Sequence, residues 1–449
     1  MIEVLLSLVF VFATILVAGL FALEFTRAKR TLNIFKIIVV YTMLFNLLGF
    51  PILIWGLDAY RAEYVNDLSI LFILLSLIIA SSVCFLSGYR VVNYKSLNLE
   101  RYIVFKHKME ESGHSVLISA LFFIVIGVAS LLMYITYFGF DALPIVLSLT
   151  SDDSAVAVSR STTGADFTLY SWYQLGMNDF LMLGVGFYIV WFSFSARLKF
   201  IRSIVLLSLI VLLLFSFGVN GEKGKFIDVI LFLFVLTSFI GLISINFVSI
   251  FAALFICLAI LIPGYWFMMG DASLTKSLYG IFSRTLTGQL HAGYHHVEFY
   301  QQMPNLYFGS TYPNPNGLLP FEPVEYTKDL MQWVHGTQYV NSTKVTGSMP
   351  THFWGELLFN FGVIGVCVFS FTIGMWIKFI DDCFKGPKIH KSTHVLYTWM
   401  IVHYKDLAYT GASNFAFDKK MLIILLAFIL LSFLTVVFRK TGQDEFIAL

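Results

Sequence analysis

The sequence has little charge, few cysteines and no marked excess of one sign of charge, and each shortage excludes a class of protein. Charged residues make up 12% of the chain, whereas soluble globular domains carry about 25%. Its four cysteines are too few for a disulfide scaffold, and a disordered chain would need far fewer apolar residues. A net charge of +2 gives no support for nucleic-acid binding, which usually requires a strongly basic surface.

Apolar residues are abundant instead: they make up 58% of the chain and give it a mean hydropathy of +0.81. Apolar runs recur at the length of about 20 residues that crosses the hydrocarbon of a bilayer. Because the N-terminus lacks the basic start of a cleaved signal peptide, we interpret the first run as a retained span. The sequence therefore predicts an all-α polytopic membrane protein with about 11 transmembrane helices. We place these spans at about 2–23, 33–54, 68–88, 114–138, 173–194, 203–218, 226–244, 247–268, 353–379, 394–409 and 415–438.

The distribution of lysine and arginine predicts the orientation of these spans, because cytoplasmic connections are enriched in basic residues. Alternate connections hold most of the 29 basic residues. One of them carries Arg90, Lys95, Arg101, Lys106 and Lys108. We therefore expect the N-terminus outside the membrane and the C-terminus inside.

Two connections on the outer side are long, at about 139–172 and 269–352. The second is rich in tyrosine, tryptophan and proline, whereas disordered segments are poor in aromatic residues. We expect it to form a packed cap with one or two short helices within 278–302. The chain then divides into spans 1 to 8 over 1–268, a large loop over 269–352, and spans 9 to 11 with a short tail over 353–449.

Ionisable residues inside the spans mark a functional interior, because they are costly in hydrocarbon. These residues are Asp179, Asp228, Glu356, Lys405 and Asp406. They lie toward the outer ends of their helices, and this placement predicts a cavity that opens outward. In the ninth span His352, Glu356 and Asn360 are spaced by four and share a helix face. A histidine and a carboxylate there could accept a proton from a hydroxyl nucleophile. The alternative is structural, with a helix cap at Thr351 and hydrogen bonds between helices.

Cations suited to a phosphate lie in three places. Lys223 and Lys225 stand beside two glycines at the start of a helix, although the spacing is not that of a nucleotide-binding loop. The alternative for this pair is a basic hairpin at the headgroups. Arg284 and Lys405 are further cations that could reach the same cavity. His291 and His295 have the spacing of a helical metal pair but lack an HExxH pattern, so we predict no metal site.

Several short motifs are informative when taken together. Near the start they are Glu24-Phe25, Leu32-Asn33-Ile34-Phe35 and Gly49-Phe50-Pro51. In the ninth span they are Gly355-Glu356-Leu357 and Asn360-Phe361-Gly362-Val363-Ile364-Gly365, preceded by Pro350. These motifs resemble those of Wzy-type polymerases, which join the repeat units of surface polysaccharides, and the resemblance extends to the hydropathy layout of the whole chain.

This resemblance implies a glycosyltransferase with a GT-C-like fold, independent of metals and cofactors, at the periplasmic face of a bacterial inner membrane. Such an enzyme transfers a growing glycan from undecaprenyl pyrophosphate to a lipid-linked repeat unit, as in O-antigen and lipopolysaccharide synthesis, and works with a chain-length regulator. The catalytic residues would be His352 and Glu356. The pyrophosphate-binding residues would be Lys223, Lys225, Arg284 and Lys405, and the sugar-binding residues would be Arg160, Trp333, Trp354 and Asn360.

Three other functions stay open at this point. An O-antigen ligase would share the architecture and the lipid-linked donor, and would differ in transferring the glycan to the lipid A core. A flippase for lipid-linked oligosaccharides should have internal repeats and polar groups through the full depth of the membrane, which we do not find. A scaffold without enzymatic activity would not need carboxylates inside the membrane.

Overall fold

The structure is a computed structural model that describes most of the chain. The described residues are 8–12, 15, 19, 32–61, 65, 67–92, 113–150, 159, 170–194, 199–222, 224–269, 273–314, 317, 319–336, 348–384, 391–416 and 418–440. Within these residues every regular element is a helix, and there is no strand. The predicted all-α class is therefore confirmed for the described part of the chain.

The helices are numbered here in chain order, and short 3₁₀ turns at Phe140–Ala142 and Lys405–Ala408 accompany them. A π-helical turn covers Leu175–Phe180. The α-helices are α1 Ile34–Asn46, α2 Phe50–Ile54, α3 Leu68–Val91, α4 Gly113–Phe138, α5 Pro144–Thr150, α6 Tyr170–Gln174, α7 Leu181–Phe194, α8 Lys199–Gly218, α9 Lys225–Phe239, α10 Phe247–Met269, α11 Leu274–Leu286, α12 Gly288–Gln302, α13 Tyr326–His335, α14 Phe353–Cys383, α15 Lys391–Tyr404, α16 Ser413–Ala416 and α17 Lys419–Lys440.

Within the described part of the chain, seven helical segments are long and apolar enough to cross a membrane, and each coincides with a span predicted from the sequence. Their number and hydropathy make this a multi-pass membrane protein. They are Ile34–Ile54, Leu68–Val91, Gly113–Phe138, Tyr170–Phe194, Lys199–Gly218, Phe247–Tyr265 and Phe353–Cys383.

The other four predicted spans stay predictions. The first, at 2–23, lies largely outside the described residues. The spans at 226–244 and 394–409 correspond to α9, of 15 residues, and α15, of 14 residues. At a rise of 1.5 Å per residue these helices are only about 20 Å long, which is shorter than the hydrocarbon. The last, at 415–438, corresponds to α17.

The chain forms two compact units. Unit 1 consists of residues 1–106, 245–389 and 400–416, and unit 2 consists of residues 107–244, 390–399 and 417–449. Of the predicted catalytic and substrate-binding residues that are described, all but Lys225 belong to unit 1.

In unit 1, α3 and α14 pack with their backbones in direct contact. A Cβ atom on Gly88 would collide with the carbonyl oxygen of Phe371, and one on Gly374 would collide with that of Phe85. Small residues at such positions allow membrane helices to approach closely, where van der Waals packing holds them together.

Polar bonds at the end of this contact attach α1. Asp381 of α14 accepts hydrogen bonds from the Tyr89 hydroxyl at 2.8 Å and from the backbone N–H of Ile34 at 3.2 Å. Asn33 donates to the Tyr89 hydroxyl at 3.0 Å and caps α1 through a bond from the N–H of Lys36. Since the buried Asp381 is hydrogen-bonded by two other elements, α1, α3 and α14 form one framework.

In unit 2, the π-helical turn directs the buried carboxylate of Asp179 toward neighbouring helices. Its Asp179 accepts a hydrogen bond from the Trp399 indole at 3.0 Å and lies 3.1 Å from the Lys420 ammonium. The adjacent Asn178 accepts from the Ser216 hydroxyl at 2.9 Å. This intramembrane carboxylate is therefore neutralised within its own unit.

We expect Gly88→Ala to destabilise the protein by about 1–3 kcal/mol, because the added methyl group must push α3 away from α14. Thermal unfolding of the purified protein would measure the loss. Gly264→Ala in α10 is the matched control, since nothing lies within 4 Å of a Cβ atom there. Equal unfolding temperatures for the two variants would contradict the close contact.

Candidate functional site

The candidate site is built around an interruption of α14. Gly362 has φ +66° and ψ −168°, and it separates two helical halves of α14. This conformation is essentially restricted to glycine. The sequence predicted the ninth span over 353–379, and the structure adds an interruption at this residue. The interruption leaves carbonyl groups of the preceding turn without their helical donors.

The loop after α12 supplies those donors. The backbone N–H of Tyr307 donates to the carbonyl of Phe359, and the N–H of Phe308 donates to the carbonyl of Asn360, both at 3.0 Å. An unpaired buried carbonyl would cost about 1–3 kcal/mol. The loop and the interrupted helix therefore complete each other's hydrogen bonds.

The side chain of Asn360 extends this connection. Its carbonyl oxygen accepts from the N–H of Gly309 at 2.8 Å. Its amide donates to the Thr311 hydroxyl at 2.6 Å and to the backbone carbonyl of Glu356 at 3.0 Å. Both amide hydrogens of Asn360 are thus used within unit 1.

Glu356 lies one turn earlier on α14 and is only 1% exposed. One carboxylate oxygen accepts from the Thr311 hydroxyl at 2.7 Å, and the other accepts from the N–H of Ser413 at 2.8 Å. We call Thr311, Glu356, Asn360 and Ser413 the break cluster. It brings together the two residues of α14 that the spacing by four had placed on one face.

His352 is the N-cap residue of α14 and is also buried, at 3% exposure. Its Nε2 shares a hydrogen bond of 3.0 Å with the Thr42 hydroxyl, while its Nδ1 has no partner among the described residues. Burial lowers the pKa of His352 to about 3. Because the ring is neutral and hard to protonate, His352 is a weak proton acceptor at neutral pH in this arrangement.

Lys405 lies in the 3₁₀ turn that leads toward Ser413. Its ammonium contacts the carboxylate of Asp406 and donates to the Tyr409 hydroxyl at 2.8 Å. The rings of Tyr41 and Tyr409 lie 5.8 Å and 5.2 Å from it. The charge of Lys405 is therefore buried and compensated by neighbouring groups.

Arg284 is exposed on α11, and a second arginine, Arg61, lies near it. The Arg61 guanidinium is held by the Ser283 hydroxyl and lies 3.5 Å from Asp58. Burial acts to raise the pKa of Asp58, but hydrogen bonds from Thr287, Ser283 and the N–H of Tyr60, together with the charge of Arg61, hold it below the ordinary value. Arg61 was not predicted from the sequence, because its only signal there is its position three residues after Asp58.

The remaining predicted residues are more dispersed. Trp354 is fully buried, which leaves no face for a sugar, and its indole nitrogen has no partner among the described residues. Trp333 is half-buried, with its ring centroid 5.4 Å from that of Phe299. Lys225 lies 3.8 Å from Asp228 in unit 2. Lys223 and Arg160 lie outside the described residues.

Three buried histidines lie on α12, which packs against α1, α3 and α14. The Nε2 atoms of His291 and His295 are 3.3 Å apart, and Nδ1 of His295 is 2.9 Å from Glu298. Burial lowers the pKa of His291 to about 3, and the nearby charges of His295 and Arg61 act in the same direction. Burial lowers the pKa of His296 to about 4, although a bond to the carbonyl of Ala292 opposes this shift.

Comparison with known proteins reveals no relative. No family model matches the chain, and neither does any curated protein or solved structure. The resemblance seen in the sequence therefore stays a prediction, and the functional argument depends on the geometry of the break cluster and its surroundings.

We expect Gly362→Ala to destabilise the loop after α12, because any Cβ atom is strained by about 1–3 kcal/mol in this backbone conformation. Limited proteolysis should then cut within 303–314, where the wild-type protein resists. Gly264→Ala controls for adding a methyl group to a membrane helix. Resistance equal to that of the wild-type protein would contradict the role of Gly362.

Acid should destabilise the protein between about pH 6.5 and pH 4. Burial holds the pKa values of His291 and His296 at about 3 and 4 in the folded protein, below the ordinary value of 6.5, so the unfolded chain binds protons first. The free energy of unfolding is then unaffected above pH 7 and falls by about 2 kcal/mol per histidine at pH 5. Unfolding temperatures at pH 7 and pH 5 measure this loss. His296→Phe should reduce the difference, and an unchanged difference would contradict the assignment.

Proposed function

We propose that the protein polymerises lipid-linked oligosaccharide repeat units at the periplasmic face of a bacterial inner membrane. The observation that carries this proposal is the break cluster: a buried carboxylate, an amide and a hydroxyl at an interruption of an apolar helix. Non-helical backbone at membrane depth is tolerated where it is buried in protein or lines a cavity. Polar groups in such a place are costly, which favours a chemical role.

Aromatic residues beside the break cluster support a sugar substrate. Tyr307 and Trp333, both half-buried, and the buried Tyr326 belong to one hydrophobic cluster with Phe359 of α14. Tyrosine and tryptophan offer flat apolar faces together with polar edges. A glycan chain presents the matching pattern of C–H faces and hydroxyls, and the half-buried Tyr307 and Trp333 are the members of this cluster that retain faces to hold it.

Glu356 is the better candidate for the base that deprotonates the acceptor hydroxyl. His352, the other residue predicted as catalytic, is less suited to this role. It shares a hydrogen bond with the Thr42 hydroxyl, and burial lowers its pKa to about 3. Glu356 is ionisable and its oxygens face the loop residue Thr311 and the turn at Ser413. Rearrangement of that loop would open Glu356 to a substrate.

The leaving group in this reaction is a pyrophosphate, which is already a stable anion. The protein then needs mainly cations to stabilise it and a base for the acceptor. In unit 1 the cations proposed for it are Lys405 and the exposed Arg284, which has Arg61 beside it. Lys223 and Lys225 were predicted from the sequence for the same role, but Lys225 belongs to unit 2 and Lys223 lies outside the described residues.

The remaining parts of the proposal come from the sequence. The excess of basic residues in alternate connections supports a C-terminus in the cytoplasm and a long periplasmic segment over 269–352. The donor and acceptor would both be lipid-linked to undecaprenyl pyrophosphate, and a chain-length regulator would be the protein partner. No metal or cofactor is needed for the step proposed.

The test is the ladder of surface glycan in a strain that lacks the gene. We expect every band above one repeat unit to disappear and to return on complementation. Glu356→Gln should fail to restore the ladder, since losing a general base lowers rates by about 10²–10⁴-fold. Protein levels in the membrane must be matched across variants.

Two further variants make this test sharper. Glu298→Gln makes the same substitution at a carboxylate outside the break cluster and should restore the ladder. Thr311→Val removes a bond to Glu356 but keeps its carboxylate, so it should retain more activity than Glu356→Gln. Equal loss in Thr311→Val and Glu356→Gln would assign Glu356 a structural role. An unchanged ladder in the deletion strain would contradict polymerisation, and loss of transfer to lipid A core alone would indicate a ligase.

A further inference from the structure

Helix α11 carries large apolar side chains on an exposed face. Leu274, Leu278 and Phe282 are spaced by four and lie on one side of the helix, and Phe282 is 54% exposed. Beyond the end of α2, Trp55 is 57% exposed and Leu57 is 60% exposed. Exposed apolar residues gathered in this way mark an interaction surface.

Direct contacts join these two groups into one surface. The Tyr279 hydroxyl of α11 donates to the carbonyl of Leu57 at 3.1 Å and accepts from the N–H of Ala59 at 2.7 Å. The ring centroids of Tyr279 and Tyr60 are 5.3 Å apart. We call this surface the aromatic belt; its members are Trp55, Leu57, Tyr60, Leu274, Tyr279 and Phe282.

The aromatic belt lies where two membrane-crossing segments end. The segment Ile34–Ile54 ends one residue before Trp55. The segment Phe247–Tyr265 ends at Tyr265, whose ring faces Gly280 of α11: its Cε1 atom would lie 3.2 Å from a Cβ atom placed on that glycine. Tyrosine and tryptophan are enriched at this level of membrane proteins, where their rings reach the headgroups. The surface is therefore continuous with the lipid-facing part of the protein.

Two arginines stand beside the aromatic belt. At Gly288, the first residue of α12, a Cβ atom would lie 3.6 Å from Nη2 of Arg61 and 3.8 Å from Cγ of Arg284. Ser283 and Asp58 fix the Arg61 side chain through its Nη1, which leaves Nη2 directed at Gly288. Asp58 offsets part of the charge of Arg61, and Arg284 adds a second cation whose side chain passes the same residue. This net positive charge, together with the partial positive charge at the start of a helix, favours an anion there.

We propose that α11 lies in the membrane interface, with the aromatic belt among the acyl chains and with Arg61 and Arg284 binding the phosphate of an anionic phospholipid. Amphipathic helices with cations on the polar side and aromatic residues on the other lie in the interface in this way. Continuity with the ends of two spans favours a lipid over a protein partner. This inference gives Arg284 a different ligand from the lipid pyrophosphate proposed above, and the test below distinguishes the two ligands.

Lipid retention by the full-length protein tests the phosphate site. The protein in nanodiscs of phosphatidylcholine with a minor share of phosphatidylglycerol should retain phosphatidylglycerol selectively, as measured by native mass spectrometry. Each arginine near the surface is worth about a fivefold preference. Arg61→Gln and Arg284→Gln should each lose that factor, while Lys328→Gln, which removes an exposed lysine paired with Glu325, should not. An unchanged preference in both arginine variants would overturn the site.

Two further outcomes are informative. Selective retention of farnesyl pyrophosphate, without a preference for phosphatidylglycerol, would overturn the phospholipid assignment and point to a lipid pyrophosphate instead. A spin label at Phe282→Cys, with the native cysteines replaced, should be accessible to oxygen and shielded from a water-soluble nickel reagent. A label at Gln302→Cys is the aqueous control. Equal nickel accessibility at both positions would overturn the interfacial placement of α11.

Discussion

The arrangement of unit 1 depends on how the carbonyl groups released by the interruption of α14 are satisfied. The backbone carbonyls of Phe359 and Asn360 need hydrogen-bond donors, because an apolar interior offers no water to replace the helical N–H groups. The loop at 307–309 supplies them from its own backbone. This requirement fixes the position of the loop on α14, and through Thr311 it fixes the environment of Glu356.

The same requirement explains why the buried carboxylate is tolerated. An ionised group without partners would be far too costly in such a place, whereas Glu356 has a hydroxyl on one oxygen and a backbone N–H on the other. Both donors come from segments outside α14, and loops are generally the elements that rearrange most easily. In the proposed function this loop gates access to the base, so that positioning of the carboxylate and entry of the substrate are one event.

The sequence was informative about hydropathy and helix faces and uninformative about contacts distant in the chain. Spacing by four predicted that Glu356 and Asn360 share a face, and apolar runs predicted seven segments that are helices of membrane-crossing length. The interruption at Gly362 could not be predicted, because glycine is common inside membrane helices. Hydropathy also cannot show where a helix ends, as in α9, which is followed by Gly241 at φ +79°. Arg61 was missed because its site depends on Ser283, which holds its guanidinium from 222 positions away, and on Thr287, which bonds its partner Asp58.

Hydrogen exchange at the amides of Tyr307, Phe308 and Gly309 tests the central claim most directly. These three N–H groups donate to the carbonyls of Phe359 and Asn360 and to the side chain of Asn360. In the full-length protein in nanodiscs we expect them to be protected from exchange to a degree similar to the amides of α14, despite lying in a loop. Exchange at the rate of an unstructured peptide would contradict the account.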